Sequence, residues 1–278
     1  MGTRLRGVCD AFEVTVDEPV RGARELNIDV VFLPGGPTDR AKINLRLYSR
    51  TREWVIRKEG AWDLEAHVPE TLAFLERGET GRLRFTRPLP AFVASYCGQN
   101  IEITPVLVTE GDDGSKVRLE LDIPLVAEDA WLVVRGLPRS EEVRSTGLTG
   151  LLRGRRFRVR LEEVRRGTIN LLVEGPRPLS AGRARLQAVE FTDDSESPYI
   201  ESEPPIVTTE TTLVAAGMGT LRGELTLPDA TAAPASLYFR GGTYRQGIKW
   251  AARLELEDEN SGVARVELPL DVGVERDG

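Results

Sequence analysis

Short runs of strictly alternating apolar and polar residues recur along this chain, and they constrain its fold more than any other feature. A period of two is what a β-strand shows when one of its faces is buried. Turn sequences rich in glycine, proline and aspartate separate the runs, as at residues 34–37 and 111–114. Short strands at this spacing predict an all-β fold of antiparallel sandwiches. The alternating runs are residues 12–16, 26–30, 43–47, 83–85, 157–161 and 184–188.

One segment, residues 69–77, leaves two interpretations open. It begins with a proline and contains good helix formers, which favours a short helix. It is explained equally well as one more strand that enters a loop. Elsewhere the helical signal is weak.

The length of the chain and its turn residues predict two domains. Its 278 residues suit two domains of ordinary size, although a single β domain can also be this long. Glycine, proline and charged residues cluster at 135–142, directly after the strand-like residues 131–134. We therefore predict an N-terminal domain of residues 1–138 and a C-terminal domain of residues 139–278.

The two halves carry the same order of features near their ends. Residues 101–107 alternate between apolar and polar positions, and so do residues 248–254. An acidic turn follows each run, and its glycine supplies the positive φ that hairpin turns require. A second strand then ends in an acidic residue, an apolar residue, proline and leucine, at 122–125 and 267–270. Alternation alone would be shared by any two antiparallel hairpins, whereas this order predicts two related β-sandwich domains in tandem.

Residues 88–125 and 225–270 resemble the arrestin-like fold. In both segments a Leu-Pro loop precedes an aromatic residue and a glycine, and a long hairpin rich in isoleucine and valine follows. Residues 12–22 also resemble the first strand and the Pro/Gly turn of that family. Its members include arrestins, a subunit of retromer and bacterial sporulation-control proteins. The resemblance implies two immunoglobulin-like antiparallel β-sandwich domains that act as an adaptor or scaffold, without catalysis.

The chain departs from particular members of that family. It has no Pro-Pro-x-Tyr motif, and the nearest string begins at Pro204. The phosphate-sensing basic residues and the buried charge network of visual arrestins do not align with this sequence. The resemblance therefore does not extend to the recognition of phosphorylated receptors.

Charge and the types of segment present narrow the expected partners. The formal net charge of −7 repels nucleic acid and anionic membranes, so we expect non-specific binding to neither. No stretch approaches the ~20 apolar residues of a membrane span, and the N-terminus lacks the apolar region of a secretory signal. Two cysteines are too few for a disulfide framework. We expect a cytoplasmic protein with protein partners, and peripheral association with a membrane is left open.

Few residues offer catalytic or metal-binding chemistry. His67 is the only histidine, which excludes a metal centre with several histidine ligands. A histidine-assisted nucleophile would have to combine His67 with Cys9, Cys97 or a serine, and no nucleophile-elbow pattern surrounds them. We interpret His67 as a surface or loop residue, Cys97 as a half-buried residue near a strand and Cys9 as an exposed residue. No catalytic, cofactor-binding or metal-binding residue is assigned.

Glycine-rich and acidic segments are interpreted as turns. Residues 217–223 have one residue too many for a dinucleotide-binding fingerprint, and residues 147–154 lack the ending of a P-loop. We expect the carboxylates at 112–113, 193–196 and 258–259 to be solvated. Calcium binding is the alternative for these loops, since Ca²⁺ takes about six to eight oxygen ligands.

The strongest basic cluster comprises Arg153, Arg155, Arg156, Arg158 and Arg160. One interpretation is a contact patch for anions or for a partner. The other is an amphipathic strand that buries its apolar residues and exposes its arginines, with the glutamates that follow offsetting part of the field. The cluster is the best candidate in the sequence for an electrostatic contact.

Three hypotheses for function follow. The first is a non-enzymatic adaptor or scaffold that binds proteins through sheet edges, an inter-domain groove or loops such as 34–40 and 193–197. The second is a β-sandwich module for a small ligand or carbohydrate, which a pocket lined by Trp54, Trp62 or Trp250 would favour. The third is an enzyme with an unrecognised pair of carboxylates, whose geometry a sequence does not reveal.

Overall fold

The computed structural model confirms the predicted all-β class. Every regular element in the described part of the chain is a β-strand, and the antiparallel sheets are curled. All six alternating runs predicted from the sequence lie in strands. The structure describes residues 3–18, 25–51, 63–65, 70–78, 80–90, 93–124, 130–146, 154–194, 197–217, 219–241, 244–258 and 262–276.

The chain forms two compact units, each of which combines segments that are distant in sequence. The division into domains at residue 138 and the immunoglobulin-like arrangement stay predictions. The first unit comprises Met1–Ala130, Thr192–Ile200 and Tyr238–Gly247, and the second comprises Trp131–Phe191, Glu201–Leu237 and Ile248–Gly278.

The first ten strands form two sheets. In chain order they are β1 (Arg4–Val8), β2 (Phe12–Asp17), β3 (Glu25–Phe32), β4 (Arg40–Thr51), β5 (Asp63–Glu65), β6 (Glu70–Glu76), β7 (Arg82–Pro88), β8 (Tyr96–Cys97), β9 (Ile101–Gly111) and β10 (Lys116–Glu120). One sheet has the order β1-β2-β3-β7. The other has the order β10-β9-β4-β5, and in it β6 also pairs with β4 and β8 with β9.

The inward residues of these sheets are apolar and buried. Val14 and Val16 of β2 are fully buried, as is Val30 of β3, and Ile28 of β3 is 1% exposed. They occupy every second position, which places them on one face of the sheet. The residues between them consequently face outward, and this fixes the polar outer surface of the β1-β2-β3-β7 sheet.

The remaining strands repeat this arrangement later in the chain. They are β11 (Ala130–Val134), β12 (Arg139–Arg144), β13 (Arg156–Arg165), β14 (Thr168–Glu174), β15 (Leu179–Asp194), β16 (Ser197–Glu201), β17 (Val207–Gly217), β18 (Thr220–Thr226), β19 (Leu237–Gly241), β20 (Tyr244–Asp258), β21 (Val263–Leu270) and β22 (Val272–Arg276). The long sheet has the order β12-β13-β14-β18-β17-β15-β20-β19, with β16 on β15 and β21 on β20, and β11 pairs with β22.

Strand pairing follows one plan twice, with each strand matched by the one eleven places later. The order β1-β2-β3-β7 matches β12-β13-β14-β18, and β10-β9-β4-β6 matches β21-β20-β15-β17. The short strands β5 and β8 match β16 and β19. The hairpins predicted from the sequence, β9–β10 and β20–β21, are confirmed. Gly114 in the first hairpin turn has a φ of 87°, as its position predicts.

The segment that left helix and strand open is a strand. β6 pairs with β4, and Thr71 and Ala73 face consecutive residues of β4, so that Leu72 is the extra residue of a β-bulge. Leu72 and Leu75 are buried, while Phe74 is 77% exposed. Pairing with β4 therefore decides the conformation of a segment whose local composition does not.

Candidate functional site

The outer face of the β1-β2-β3-β7 sheet carries a shallow depression of about 390 Å³. Every strand of this sheet contributes to it, because the outward residues of neighbouring strands stand side by side. Most of its lining can form hydrogen bonds. The lining includes Arg4, Thr15, Asp17, Asn27, Asp29, Arg84 and Thr86.

Asp29 is the electrostatic centre of this face. Its carboxylate accepts hydrogen bonds from the Nε atoms of Arg82 at 2.9 Å and Arg84 at 3.0 Å. The side chain of Asp29 is 12% exposed, whereas the side chains of Arg82 and Arg84 are 46% and 66% exposed. The hydrogen bond from Arg82 is the main cause that lowers the pKa of Asp29 to about 2. One carboxylate thus forms ion pairs with two exposed arginines of β7.

The main chain of β7 has one edge bonded to β3 and one edge that faces away from it. The amide of Phe32 donates to the carbonyl of Gly81 at 2.7 Å, so these facing residues are a hydrogen-bonded pair. Hydrogen-bonded pairs recur at every second residue of an antiparallel ladder. The β3–β7 register therefore turns the main-chain groups of Arg82, Arg84 and Thr86 toward the outer edge.

A local contact agrees with this assignment and closes the first position of the outer edge. The amide of Arg82 donates to Oγ1 of Thr80 at 3.4 Å, and the Thr80 hydroxyl donates to the carbonyl of Arg82 at 3.2 Å. Pro88, the last residue of β7, has no amide hydrogen to offer. Arg84 and Thr86 are consequently the two residues whose main-chain donors and acceptors the outer edge of β7 presents.

The first part of the matching edge in the second half of the chain, Thr220–Arg222, is filled by the chain itself. β18 pairs with β17 through Val214 and Arg222 and through Ala215 and Leu221. In the first half, no ladder joins β6 to β7 among the described residues. A side chain bridges the two strands there, since Nε of Arg87 donates to the carbonyl of Leu72 at 2.9 Å. The edge at Thr220–Arg222 is therefore paired in the second repeat, whereas no described strand pairs with the outer edge of β7 in the first.

The arginine cluster of the sequence forms an ion-pair ladder on β13. Arg156, Arg158 and Arg160 are exposed and alternate with the buried Phe157, Val159 and Leu161, as the amphipathic-strand interpretation predicts. Glutamates on both neighbouring strands lie opposite these arginines. The ion pairs are Arg156–Glu142 at 3.9 Å, Arg158–Glu142 at 3.8 Å, Arg158–Glu174 at 3.8 Å and Arg160–Glu174 at 3.4 Å.

Arg155 is set apart from this ladder. Its guanidinium forms an ion pair with Asp258 at the end of β20, and the two side chains are 20% and 5% exposed. The expectation that Asp258 is a solvated turn residue is therefore wrong. Its second carboxylate oxygen accepts from the amide of Gly262 at 3.2 Å, so the hairpin turn and the ion pair share one buried carboxylate.

The first acidic turn also uses its carboxylate internally. Asp113 accepts from the amide of Ser115 at 3.1 Å and from the hydroxyls of Ser115 and Thr38. These hydrogen bonds, that of Ser115 first, lower the pKa of Asp113. No group of three or more histidine, cysteine, aspartate or glutamate side chains that could hold a metal ion occurs in the part of the chain that the structure describes.

Both cysteines differ from their predicted environments. Cys97 is exposed, because it ends a strand of only two residues, and the expectation of a half-buried thiol is wrong. Cys9 is half-buried, with its thiol 3.5 Å from the carbonyl of Phe12, and the expectation of exposure is wrong. Trp250 is fully buried and donates its indole N–H to the carbonyl of Pro234 at 3.0 Å, so it lines the core. His67, Trp54, Trp62 and Arg153 lie outside the described residues.

The sequence predicts neither the outer edge of β7 as a binding site nor Asp29 as the partner of its arginines. A partial signal exists, because Asp29 occupies an outward position of an alternating run and β7 contains three arginines without an acid. The edge itself has no local signature, since it depends on which strands fail to pair.

Comparison with known proteins does not place the chain in a family. The sequence matches no known protein family and no curated protein. Within the described residues there is no helix long and apolar enough to cross a membrane.

Proposed function

We propose that this protein is a non-enzymatic, arrestin-like adaptor that holds a protein partner on a β-sheet edge. The proposal includes two immunoglobulin-like β-sandwich domains, one in each half of the chain. It is supported by the strand order, which repeats from β1–β10 to β12–β21 among the described strands except that β17 pairs with β18 whereas β6 does not pair with β7. Such a duplication gives one chain two related binding platforms.

One observation carries the binding role: no described strand pairs with the outer edge of β7, whereas the matching residues Thr220–Arg222 of β18 pair with β17. An open edge can accept a partner strand through main-chain hydrogen bonds. Edges left open in folded proteins are usually shortened, charged or interrupted by proline to prevent indiscriminate pairing. β7 carries arginines and ends in Pro88, so access to it is restricted to suitable segments.

A cytoplasmic location is part of the proposal. Both cysteines are free, which fits a compartment that keeps thiols reduced. The arginines of β13 are paired with glutamates on both sides, which leaves this strand a weaker candidate for anion binding than its sequence alone indicates.

The adaptor role is tested by recovering a complex and rebuilding it from pure components. The tagged protein is purified from its source organism, partners are identified by mass spectrometry, and each is expressed separately and mixed with the pure chain. We expect one partner to co-elute with the chain in a fixed stoichiometry on size exclusion. If every recovered protein fails to rebind when pure, the adaptor role is wrong.

A second candidate function rests on the depression of about 390 Å³ over the first sheet. Its carboxylate, amide and hydroxyl groups suit a small polar ligand such as a carbohydrate. A panel of sugars and other polar metabolites, screened by the increase in Tm, tests it. The candidate requires a saturable increase that is lost in the Asn27→Ala variant, since Asn27 lines the depression.

A further inference from the structure

We propose that the outer edge of β7 accepts an extended segment of a partner protein whose side chains alternate between acidic and apolar, bound as an added antiparallel strand. This inference rests on the proposed adaptor function and specifies its site and the chemistry of its partner. Beside Arg84 the added strand takes the place that β17 occupies beside Arg222 in the second half of the chain, and it continues to Thr86.

Main-chain geometry sets where the added strand bonds. Arg84 and Thr86 point their amides and carbonyls away from β3, as the register with Asp29 and Asn27 requires. Thr80 closes the edge before them through Arg82, and Pro88 interrupts it after them. The docking segment is therefore short, and its central residues pair with Arg84 and Thr86.

Charge decides the outward side chains of that segment. β7 carries Arg82, Arg84 and Arg87 and no carboxylate, and Asp29 is the one carboxylate among the described residues that pairs with the first two. Residues directly opposite one another on paired strands project from the same face and interact, and opposite charges there are favourable. An acidic residue facing Arg84 would thus meet a guanidinium that is 66% exposed.

Apolar residues suit the alternate positions of the segment. Leu83 and Phe85 alternate with the outward arginines and are only half-buried. A strand placed beside them directs its own alternate side chains to the same side and covers this remaining apolar surface. The two faces of β7 together select an alternation of acidic and apolar residues.

A second copy of the same strand suits this edge less well than an acidic segment. Antiparallel pairing of β7 with β7 about Arg84 would set two Arg84 guanidiniums directly opposite each other, and pairing about Phe85 would set Arg84 opposite the uncharged Thr86. Like charges at directly opposite positions destabilise a strand pair, whereas opposite charges are favourable. We therefore assign the edge to a different, acidic segment.

A labelled short peptide that alternates glutamate and valine is the probe for this edge. Its binding to the full chain is followed by fluorescence anisotropy, against a control peptide that alternates lysine and valine. We expect saturable binding of the acidic peptide only, weakened when the salt concentration rises because the arginines are exposed. Hydrogen exchange of the free and the bound chain should show new protection of the Arg84 and Thr86 amides.

Thr86→Pro is the decisive variant. It removes an amide that faces the open edge, so no bond to β3 is lost, and we expect the affinity for the acidic peptide to fall by at least about tenfold. Thr86→Ala is the matched control, because it also loses the hydroxyl bond to Asn27 but keeps the amide, and its affinity should stay near that of the wild type. Circular dichroism and Tm establish that both variants are folded.

The outcomes separate this inference from the adaptor role. Equal binding of both peptides, or undiminished binding to folded Thr86→Pro, overturns the edge site. If a reconstituted partner binds Thr86→Pro as well as wild type, the adaptor role stands and the β7 site is wrong. If the peptide behaves as expected but no recovered protein rebinds, the edge stands as a binding site and the adaptor role fails.

Discussion

Arg155 and Asp258 form an ion pair although they are 103 residues apart in sequence. Their side chains are only 20% and 5% exposed, so water screens the pair weakly. The contact ties the residue before β13 to the end of β20, and the Gly262 amide completes the hydrogen bonding of the carboxylate. Removal of either partner would leave the other charge largely buried and unpaired, which is strongly destabilising.

We expect Asp258→Ala to lower the free energy of unfolding by about 3 kcal/mol, because the Arg155 guanidinium would remain largely buried without its partner carboxylate. Urea-induced unfolding followed by tryptophan fluorescence measures the loss. The matched control is Glu174→Ala, whose partners Arg158 and Arg160 are half exposed and whose loss should cost less than about 1 kcal/mol. Equal losses in the two variants would contradict a special role for the buried pair.

Asp29 should make the stability of the fold depend on pH in the acidic range. Its folded-state pKa is lowered to about 2, mainly by the hydrogen bond from Arg82, so the folded chain favours the carboxylate more than the unfolded chain does. The stabilisation is therefore fully present above about pH 4 and is lost as the pH falls toward 2. We expect Asp29→Asn to lower the free energy of unfolding by on the order of 1 kcal/mol at neutral pH, a modest amount because the arginines are exposed. The variant should also show a smaller fall in stability between about pH 4 and pH 2, which we call the acid limb.

Asp17→Asn is the control for that experiment. Asp17 lies 3.7 Å from Arg4, and both side chains are more than half exposed. Its variant should therefore retain the acid limb of the wild type in urea titrations at a series of pH values. An unchanged acid limb in Asp29→Asn would show that other carboxylates cause it.

Gly7 should be intolerant of any side chain. A Cβ atom at this position of β1 would lie 2.5 Å from Cγ1 of Val117 and 3.1 Å from Cδ2 of Leu119 on β10. Overpacking of this kind costs about 1–3 kcal/mol, so we expect Gly7→Ala to lower Tm and Gly7→Ala with Val117→Ala to recover part of the loss. Gly78→Ala, which meets nothing within 4 Å, is the control and should leave Tm near that of the wild type.

The sequence predicts local features well and distant pairings poorly. The alternation at residues 12–16 and 157–161 identifies strands and their buried faces, because exposure alternates with the pleat and is encoded residue by residue. Asp258 has the sequence context of a solvated turn, and its burial follows from an arginine far along the chain. Likewise Asp29 is recognisable as an outward residue, but its partner Arg82 is 53 residues away and is fixed by the pairing of β3 with β7. The outer edge of β7 is harder still to predict from the sequence, since it depends on a pairing that forms in the second repeat and that no described strand makes in the first.

The start of β20 contains a buried polar contact that the alternation of apolar and polar residues does not predict. Gln246 is fully buried, and its Nε2 donates to the carbonyl of Ser49 at 2.8 Å while its Oε1 accepts from the hydroxyl of Thr51. The Thr51 oxygen also lies 2.9 Å from the hydroxyl of Tyr244. These bonds join the start of β20 to the end of β4, within the first unit.

We expect Gln246→Leu to lower the free energy of unfolding by about 2 kcal/mol, because the buried Ser49 carbonyl loses the Gln246 donor and the Thr51 hydroxyl loses an acceptor. The double variant Thr51→Val with Gln246→Leu also removes the Thr51 hydroxyl that would otherwise lack an acceptor. Its loss of unfolding free energy should therefore be smaller than the sum of the two single losses. Denaturant titration of all four proteins gives the coupling energy between the two side chains. Strict additivity would mean that the hydrogen bond between Thr51 and Gln246 contributes nothing to holding β20 against β4.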